Sequence, residues 1–337
     1  MRVAYCLTHP IQYQAPLIRY LTSGGADVHV IYGTDTTSKT YHDQEFGQKV
    51  SWDIPLLDGY PHTFLPDLSS PESQKDSHAH YHHHLLTHLT ANPVDALWVH
   101  GWNHPFTLAA WKVARELRLP LLLRGETFLG CIRGGWFRRW AHRQVYHRRF
   151  RQVAAFLAVG SLNRQLYLNY GAREEQIFSV PYAVDNQFFQ DRAAEAKPNR
   201  SSLRSALGIA EDRPIVLFCG KLIAKKGAES LIRAIVMCRQ ADQPKPVLLI
   251  VGDGELRPEL ERLANTLAPD CVRFVGFKNQ TELPAFYDLC DLFVIPSLFE
   301  PWGLVVNEVM NAGKPVIATD VVGSAADLIK PGLNGAV

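Results

Sequence analysis

The C-terminal half of the chain contains the stretch Leu292-Phe293-Val294-Ile295-Pro296-Ser297-Leu298-Phe299-Glu300-Pro301-Trp302-Gly303-Leu304-Val305-Val306-Asn307-Glu308. Its first four residues are apolar and predict a buried strand. A loop with proline and glycine follows, and the pattern Leu304–Asn311 is typical of a helix. A strand that runs through a short loop into a helix is the repeating unit of a parallel α/β sheet. This stretch therefore predicts that the second half of the chain is an α/β domain.

The same alternation of apolar runs and helical patterns extends through the rest of the chain. The strands predicted in the second half are Ile215–Cys219, Val247–Val251, Val272–Phe274, Leu292–Ile295 and Pro315–Ala318. Those predicted in the first half are Val3–Leu7, Val28–Tyr32, Ala96–His100, Leu119–Leu123 and Phe156–Val159. The pattern predicts an α/β fold of two Rossmann-like, doubly wound parallel-sheet domains that face a cleft.

The length of 337 residues also suits two domains. We predict a first domain over residues 1–185, a linker over residues 186–213 and a second domain over residues 214–337. The linker prediction rests on polar composition, Pro198 and the lack of a strand pattern. Residues 332–337 read as a turn that enters a strand. We therefore expect the second domain to be incomplete, with a last strand and one or more helices missing.

Composition excludes several classes of protein. A hydrophobic content of 47% with 20% charged residues is typical of a folded α/β protein, and a net charge of +2 does not suggest a nucleic-acid partner. The six cysteines form no C-x-x-C pair, which favours a reducing compartment. No apolar stretch approaches the ~20 residues that span a bilayer. We see no signal peptide at Met1–Leu7 and expect a cytoplasmic protein.

Charged residues and glycines follow several of the predicted strands. Glu300 precedes a helix N-terminus, where unpaired N–H groups suit a diphosphate, and Glu308 lies about a turn and a half into that helix. Lys221 and Lys226 lie in a loop between a strand and a helix and could reach a diphosphate. The turn Gly252-Asp253-Gly254 follows another strand. Taken alone, the two glutamates are better explained as a loop acid and a solvated helix residue. The alternative for the lysines is an ordinary solvated basic loop.

In combination the segments resemble the donor domain of GT-B glycosyltransferases of the large retaining family 4, the glycosyl transferases group 1. The resemblance covers residues 214–337, and the matching elements occur in the family's order and spacing. They are Gly220-Lys221-Leu222 with Lys226-Gly227, the turn Gly252–Gly254, the pair Glu300 and Glu308, and Gly313-Lys314-Pro315-Val316-Ile317-Ala318.

The resemblance implies a role for each matching residue. It implies that Lys221 and Lys226 bind the donor diphosphate, that Glu308 holds the ribose, and that Glu300 holds sugar hydroxyls. It further implies that the backbone of Gly303, Leu304 and Val305 contacts the donor. The remaining donor-binding residues that we predict are Gly252, Gly254 and, near the base, Phe277. The family retains anomeric configuration and requires neither catalytic metal nor cofactor, and the chain has no Asp-x-Asp motif.

The first half departs from the family pattern. The first loop reads Thr8-His9-Pro10-Ile11-Gln12-Tyr13, and we assign His9, Gln12 and Tyr13 to the acceptor side. Many family members carry a histidine after the fourth or fifth strand, whereas here Leu123 leads into Arg124-Gly125-Glu126. Arg124, Glu126 or His100 would take its place as a catalytic residue.

Two further segments carry unusual composition. The basic and aromatic segment Ile132–Gln152 contains seven arginines and no acid. It is interpreted either as a helix on an anionic membrane or as a solvated face that packs its aromatic side chains on the core. His80, His84 and His88 share one face of a helix. They could hold a metal, but no carboxylate or cysteine completes the site, so we predict a polar surface and no metal.

The sequence thus predicts transfer of a sugar from a UDP- or GDP-sugar to a hydroxyl of a glycan or lipid-linked acceptor, in cell-surface polysaccharide synthesis. The protein would lie in the cytoplasm or peripherally on the inner face of the membrane. The alternatives are a catalytically impaired sugar-nucleotide-binding protein and a GT-B nucleotide-sugar epimerase.

Overall fold

The computed structural model describes residues 1–68, 76–132, 134–238 and 245–337. The chain divides into two compact units. Unit 1 comprises residues 1–40 and 55–182, and unit 2 comprises residues 41–54 and 183–337. Each unit contains one parallel sheet with helices between successive strands, which confirms the predicted α/β fold of two Rossmann-like domains.

The strands in chain order are β1 (Arg2–Leu7), β2 (Asp27–Tyr32), β3 (Tyr41–Asp43), β4 (Gln48–Val50), β5 (His62–Phe64), β6 (Ala96–His100), β7 (Leu121–Gly125), β8 (Ala155–Ala158), β9 (Ile177–Ser179), β10 (Ile215–Cys219), β11 (Val247–Val251), β12 (Val272–Gly276), β13 (Leu292–Ile295), β14 (Val316–Ala318) and β15 (Gly335–Ala336). The α-helices are Gln14–Ser23, Ser77–Ala91, Pro105–Glu116, Trp136–Phe150, Ser161–Asn169, Asn186–Ala196, Arg200–Ala206, Ala228–Cys238, Arg257–Leu267, Leu283–Leu289, Val305–Met310 and Ala325–Leu328.

The sheet of unit 1 has the order β5-β2-β1-β6-β7-β8-β9, and all its strands are parallel. Strand β1 lies between β2 and β6, so the winding direction reverses there. Ligands of open α/β sheets bind at the carboxyl ends of the strands beside such a reversal. The loops at this place begin at Thr8 and at Gly101.

The sheet of unit 2 has the order β12-β11-β10-β13-β14-β15 and is also entirely parallel. Its central strands are apolar along their whole length because helices cover both faces, and Leu217 and Leu249 are fully buried. The winding direction reverses between β10 and β13. The loops that follow these two strands, residues 220–227 and 296–304, therefore meet at one edge of the sheet.

An antiparallel hairpin, β3-β4, completes unit 2. We call residues 41–54 the acidic hairpin, after Asp43, Glu45 and Asp53. The Nδ2 group of Asn279 donates to the Ser51 carbonyl at 2.6 Å. The sequence places the acidic hairpin within the first predicted domain, residues 1–185, so that boundary prediction is wrong.

The predicted linker over residues 186–213 is also wrong. These residues contain the helices Asn186–Ala196 and Arg200–Ala206, which pack on the helix Leu283–Leu289 of unit 2. The guanidinium of Arg200 binds both carboxylate oxygens of Asp288, at 2.8 and 3.1 Å. The segment is polar because the helices lie at the surface, and the longer segment of unit 2 begins at Ala183.

A close approach of two backbone segments positions the loop after β10. Gly252 has φ of +136°, and a Cβ atom built there would lie 1.9 Å from the Gly220 carbonyl oxygen. The neighbouring hydrogen bonds from Gly220 N to Val251 O and from Leu222 N to Asp253 O, at 3.0 and 2.8 Å, hold the two segments together. Only glycine allows this contact.

We expect Gly252→Ala to destabilise unit 2 by about 2–4 kcal/mol, because both the clash and the backbone conformation oppose a side chain. Gly332→Ala is the matched control, since Gly332 also has positive φ but an added Cβ meets nothing within 4 Å. It should cost only about 1 kcal/mol. Urea unfolding of the two variants measures the difference, and equal midpoints would contradict the steric argument.

Candidate active site

The two loops that meet at the reversal of unit 2 enclose a cavity of about 340 Å³. The acidic hairpin contributes Glu45 and Phe46 to its wall. The charged residues that line it are Glu45, Lys221, Lys225, Lys226, Glu300 and Glu308. The predicted contact residues Gly303, Leu304 and Val305 line it as well. The structure thus brings together most of the residues that the sequence predicts for one site.

Each of the three lysines in the cavity is paired with a carboxylate. Lys226 Nζ binds Glu300 Oε2, and both side chains are largely buried. Lys225 Nζ binds Glu45 at 2.8 Å. Lys221 Nζ binds Glu45 at 2.9 Å and Asp43 at 3.1 Å, and it lies 4.8 Å from the centroid of the Phe46 ring. Hydrogen bonds from Lys225 and Lys221 lower the pKa of Glu45 to about 2, so this carboxyl is ionised.

Backbone contacts fix the loop that carries Glu300. The Glu300 carbonyl accepts a hydrogen bond from Gly323 N at 3.0 Å, and Ser324 N donates to the Trp302 carbonyl at 2.9 Å. The six-residue helix Val305–Met310 starts immediately after Gly303 and Leu304. The N–H of Val306 donates to the Gly303 carbonyl at 2.9 Å, which closes the turn at the start of this helix.

Glu308 points from that helix toward Tyr287, which the sequence analysis missed. The Tyr287 hydroxyl donates to Glu308 Oε2 at 2.6 Å and lies 3.8 Å from Cys219 Sγ. Burial raises the pKa of Glu308 to about 7, although the Tyr287 hydrogen bond acts in the opposite direction. The carboxyl therefore changes charge near neutral pH.

Three predicted donor residues lie elsewhere. Gly252 and Gly254 pack beneath residues 220–222, where an added Cβ would strike the backbone of Gly220 and Leu222, so they support the lysine loop rather than line the cavity. Phe277 lies outside the lining and packs edge-on against Phe46, with ring centroids 4.9 Å apart. The sequence analysis missed Phe46.

The predicted catalytic residue Arg124 is wrong, because its side chain is completely buried in unit 1. Its Nη2 donates to the carbonyls of Val180 and Pro181, at 3.2 and 3.1 Å. The guanidinium lies over the ring of Tyr182 at 4.7 Å. A group with no exposed atom cannot touch a substrate.

His100 is held by hydrogen bonds at both ring nitrogens. Tyr5 lies 3.3 Å from Nδ1 and Tyr182 lies 2.9 Å from Nε2. Burial, with the nearby Arg124, lowers the pKa of His100 to about 3, so the ring is neutral. His100 also lines a cavity of unit 1, so its catalytic role stays a prediction.

The other predicted residues of unit 1 lie near its own sheet reversal. Glu126 is half-buried and lines a cavity of about 200 Å³ together with His100, Asn103 and His104. His9 is half-buried, and burial and the neighbouring His104 lower its pKa. Gln12 is also half-buried. Tyr13 packs edge-on against Tyr182, with ring centroids 5.5 Å apart.

A family model described as glycosyl transferases group 1 matches residues 199–337, which contain nearly all of the cavity lining. Residues 199–337 are therefore similar to this family. An uncharacterized glycosyltransferase of Methanocaldococcus jannaschii is 38% identical over 73% of this chain and 63% of its own length. The alpha-D-kanosaminyltransferase of Streptomyces kanamyceticus is 32% identical over 59% of this chain and 50% of its own length. The matches thus span about half to two thirds of these relatives.

Two solved structures share the fold of this chain. HepE of Anabaena, crystallised with UDP and glucose, matches with a TM-score of 0.71 at 21% identity and covers all of this chain and 85% of its own. A glycosyltransferase of Rickettsia africae matches with a TM-score of 0.72 at 15% identity, over 100% of this chain and 84% of its own. At these identities the likeness establishes the GT-B fold alone.

The helix Trp136–Phe150 divides its aromatic side chains between two faces. Tyr146 and Phe150 are buried in the core of unit 1, whereas Trp136, Phe137 and Trp140 are 80%, 63% and 52% exposed. Each of the two interpretations of the segment thus fits part of the helix. Arg133 lies outside the described residues.

The described residues contain no group of three or more His, Cys, Asp or Glu side chains that could hold a metal ion. In the helix Ser77–Ala91, His80 instead meets the Pro66 carbonyl at 2.8 Å and His82 meets Glu116 at 2.9 Å. Over the same described residues, no helix is both long and apolar enough to cross a bilayer.

We expect Glu308→Gln to change how the stability of the protein depends on pH. Because the folded-state pKa of Glu308 is raised to about 7, protonation stabilises the fold fully below the unfolded pKa near 4.5. That contribution is lost as pH rises through 7. Glutamine does not titrate. The free energy of unfolding of the variant, relative to that of the wild type, should therefore rise by about 2 kcal/mol from pH 5 to pH 8. Urea unfolding at both pH values tests this, and a constant difference would contradict it.

Proposed function

We propose that the chain is a retaining glycosyltransferase that moves a sugar from a UDP- or GDP-sugar to a hydroxyl of a glycan or lipid-linked acceptor. The observation that carries the proposal is the cavity of unit 2. Three lysines and three glutamates line it, and all of these except Glu45 lie in the segment that matches the group 1 family. The presence of UDP in the HepE crystals favours UDP as the nucleotide.

The lysines suit a departing diphosphate. When the bond between sugar and phosphate breaks, negative charge develops on the diphosphate, and ammonium groups in place beforehand stabilise it. Lys226 and Lys221 would provide this charge, with the N–H groups of Gly303, Leu304 and Val305 nearby. A nucleotide that leaves as a stabilised anion needs no metal, so the proposed enzyme works without metal or cofactor.

Glu308 and Glu300 suit the two hydroxyl-bearing ends of a nucleotide-sugar. Glu308, on the helix wall, would accept hydrogen bonds from the ribose hydroxyls. Glu300, which Lys226 holds in place, would accept them from hydroxyls of the transferred sugar. Phe277, which packs edge-on against Phe46 in this structure, would flank the base.

Retention follows if the acceptor attacks from the face that the nucleotide leaves. The departing diphosphate oxygen would then take the proton of the acceptor hydroxyl. In unit 1, Glu126, His9, Gln12 and Tyr13 remain the proposed acceptor-side residues. They surround the sheet reversal at which ligands of such domains bind.

We expect Lys226→Ala to lower kcat for sugar transfer by about 100-fold or more, since it removes charge that acts on the leaving group. Transfer from UDP- and GDP-sugars to a lipid-linked or glycan acceptor is measured by product analysis, with Lys330→Ala, an exposed lysine, as the control. Melting curves verify that the variant is folded. Unchanged transfer would contradict the proposal, and conversion of the donor without acceptor would indicate an epimerase.

We also propose that the helix Trp136–Phe150 places the enzyme on an anionic membrane surface, where cell-surface polysaccharide synthesis uses lipid-linked acceptors. Exposed Trp136, Phe137 and Trp140 lie beside exposed Arg138 and Arg139 on the first turns of this helix. Aromatic rings enter the lipid headgroup region and arginines pair with anionic headgroups. The combination favours the inner face of the cytoplasmic membrane.

Sedimentation with phosphatidylcholine vesicles, with and without phosphatidylglycerol, tests this surface. The wild type should sediment only with phosphatidylglycerol, and the triple variant Trp136→Ala, Phe137→Ala, Trp140→Ala should bind about 10-fold more weakly. Phe178→Ala, which removes a 54% exposed aromatic ring elsewhere, is the control. Equal binding of the triple variant and the wild type would contradict the proposal.

A further inference from the structure

The acidic hairpin places two carboxylates on the lysines of the cavity. Lys221 Nζ contacts both oxygens of Asp43, at 3.1 and 3.2 Å, and one oxygen of Glu45 at 2.9 Å. Lys225 Nζ contacts the other Glu45 oxygen at 2.8 Å. An ammonium group has three donors, and Lys221 has three carboxylate oxygens around it. A diphosphate that binds Lys221 must therefore replace these oxygens.

The arrangement copies the charge of a diphosphate. Two neighbouring carboxylates supply two negative charges to cationic groups, as the two phosphates of a nucleoside diphosphate would. The Asp43 carboxylate is fixed in position, because its Oδ1 also accepts hydrogen bonds from the N–H groups of Glu45 and Phe46, at 2.9 and 3.0 Å. Its side chain is only 13% exposed.

The other end of the hairpin is attached independently of the lysines. Asp53 accepts hydrogen bonds from the backbone N–H and the hydroxyl of Thr281, and Ser51 O accepts from Asn279. The turn between the strands is closed by Gly47, whose N–H donates to the Asp43 carbonyl at 2.9 Å. The tip can therefore leave the lysines while the far end of the hairpin stays on unit 2.

We propose that the tip of the acidic hairpin is an internal competitor of the donor diphosphate. This inference rests on the proposed function, since it takes Lys221 as a diphosphate ligand. The nucleotide-sugar displaces Asp43 and Glu45, because like charges facing a bound diphosphate across a few ångströms repel it. After transfer the carboxylates return to Lys221 and Lys225 and promote release of the nucleoside diphosphate product.

The test compares nucleotide binding by the wild type and by the double variant Asp43→Asn, Glu45→Gln. Both substitutions keep size and hydrogen-bond acceptors but remove charge. UDP, GDP and uridine are titrated calorimetrically, and Asp53→Asn controls for the loss of a hairpin charge away from the lysines. We expect about 10-fold tighter binding of the nucleoside diphosphate in the double variant. Uridine binding and the Asp53→Asn variant should be unchanged.

Hydrogen exchange gives a second readout that follows the hairpin itself. Saturating nucleoside diphosphate should speed amide exchange in residues 43–48 of the wild type and leave residues 51–54 unchanged. Two results would contradict the role of the hairpin as a competitor but leave the donor site standing. They are equal or weaker nucleotide binding by the double variant, and unchanged amide exchange of the hairpin when nucleotide binds. If neither protein binds UDP or GDP, both the proposed donor site and the proposed role of the hairpin are contradicted.

Discussion

Crowding of positive charge governs the site of unit 2. Lys221, Lys225 and Lys226 lie in one short loop, and their ammonium groups share one cavity. Such a cluster is tolerable only if anions neutralise it. Glu300 and the acidic hairpin supply these anions. The loop, the short helix that follows Gly303, and the hairpin are all arranged around this balance of charge.

The sequence predicts most of unit 2 because its chemistry is local. The strands Ile215–Cys219, Val247–Val251 and Leu292–Ile295 coincide with the observed bounds. A parallel sheet brings the ends of neighbouring strands together, so loops after β10 and β13 had to meet. Glu300 and Lys226, which the family resemblance implies for one site, lie in these two loops. Gly252 shows where such prediction stops. In the sequence it resembles part of a ligand-binding turn, whereas in the structure it allows two backbone segments to approach closely.

What the sequence could not predict depends on long-range packing. Arg124 stands at a strand end, where a catalytic residue is expected, yet carbonyls of Val180 and Pro181 bury it. Tyr287 lies on a different helix from Glu308, and no spacing along the chain predicts the contact between them. The polar helices after Asn186 looked like a linker because only a narrow side of each is buried. The partition of buried and exposed rings along Trp136–Phe150 likewise follows from tertiary contacts.

The acidic hairpin has a consequence for recombination between related proteins. The chain passes between the two units at residues 40–41, 54–55 and 182–183, so unit 2 is discontinuous in sequence. A crossover placed only near residue 183 would pair the lysine loop of one parent with the hairpin of another. Asp43 and Glu45 would then face a foreign loop, and Lys221 would lose its matched anions. A functional exchange of unit 2 has to carry residues 41–54 along, as a second and separate insert.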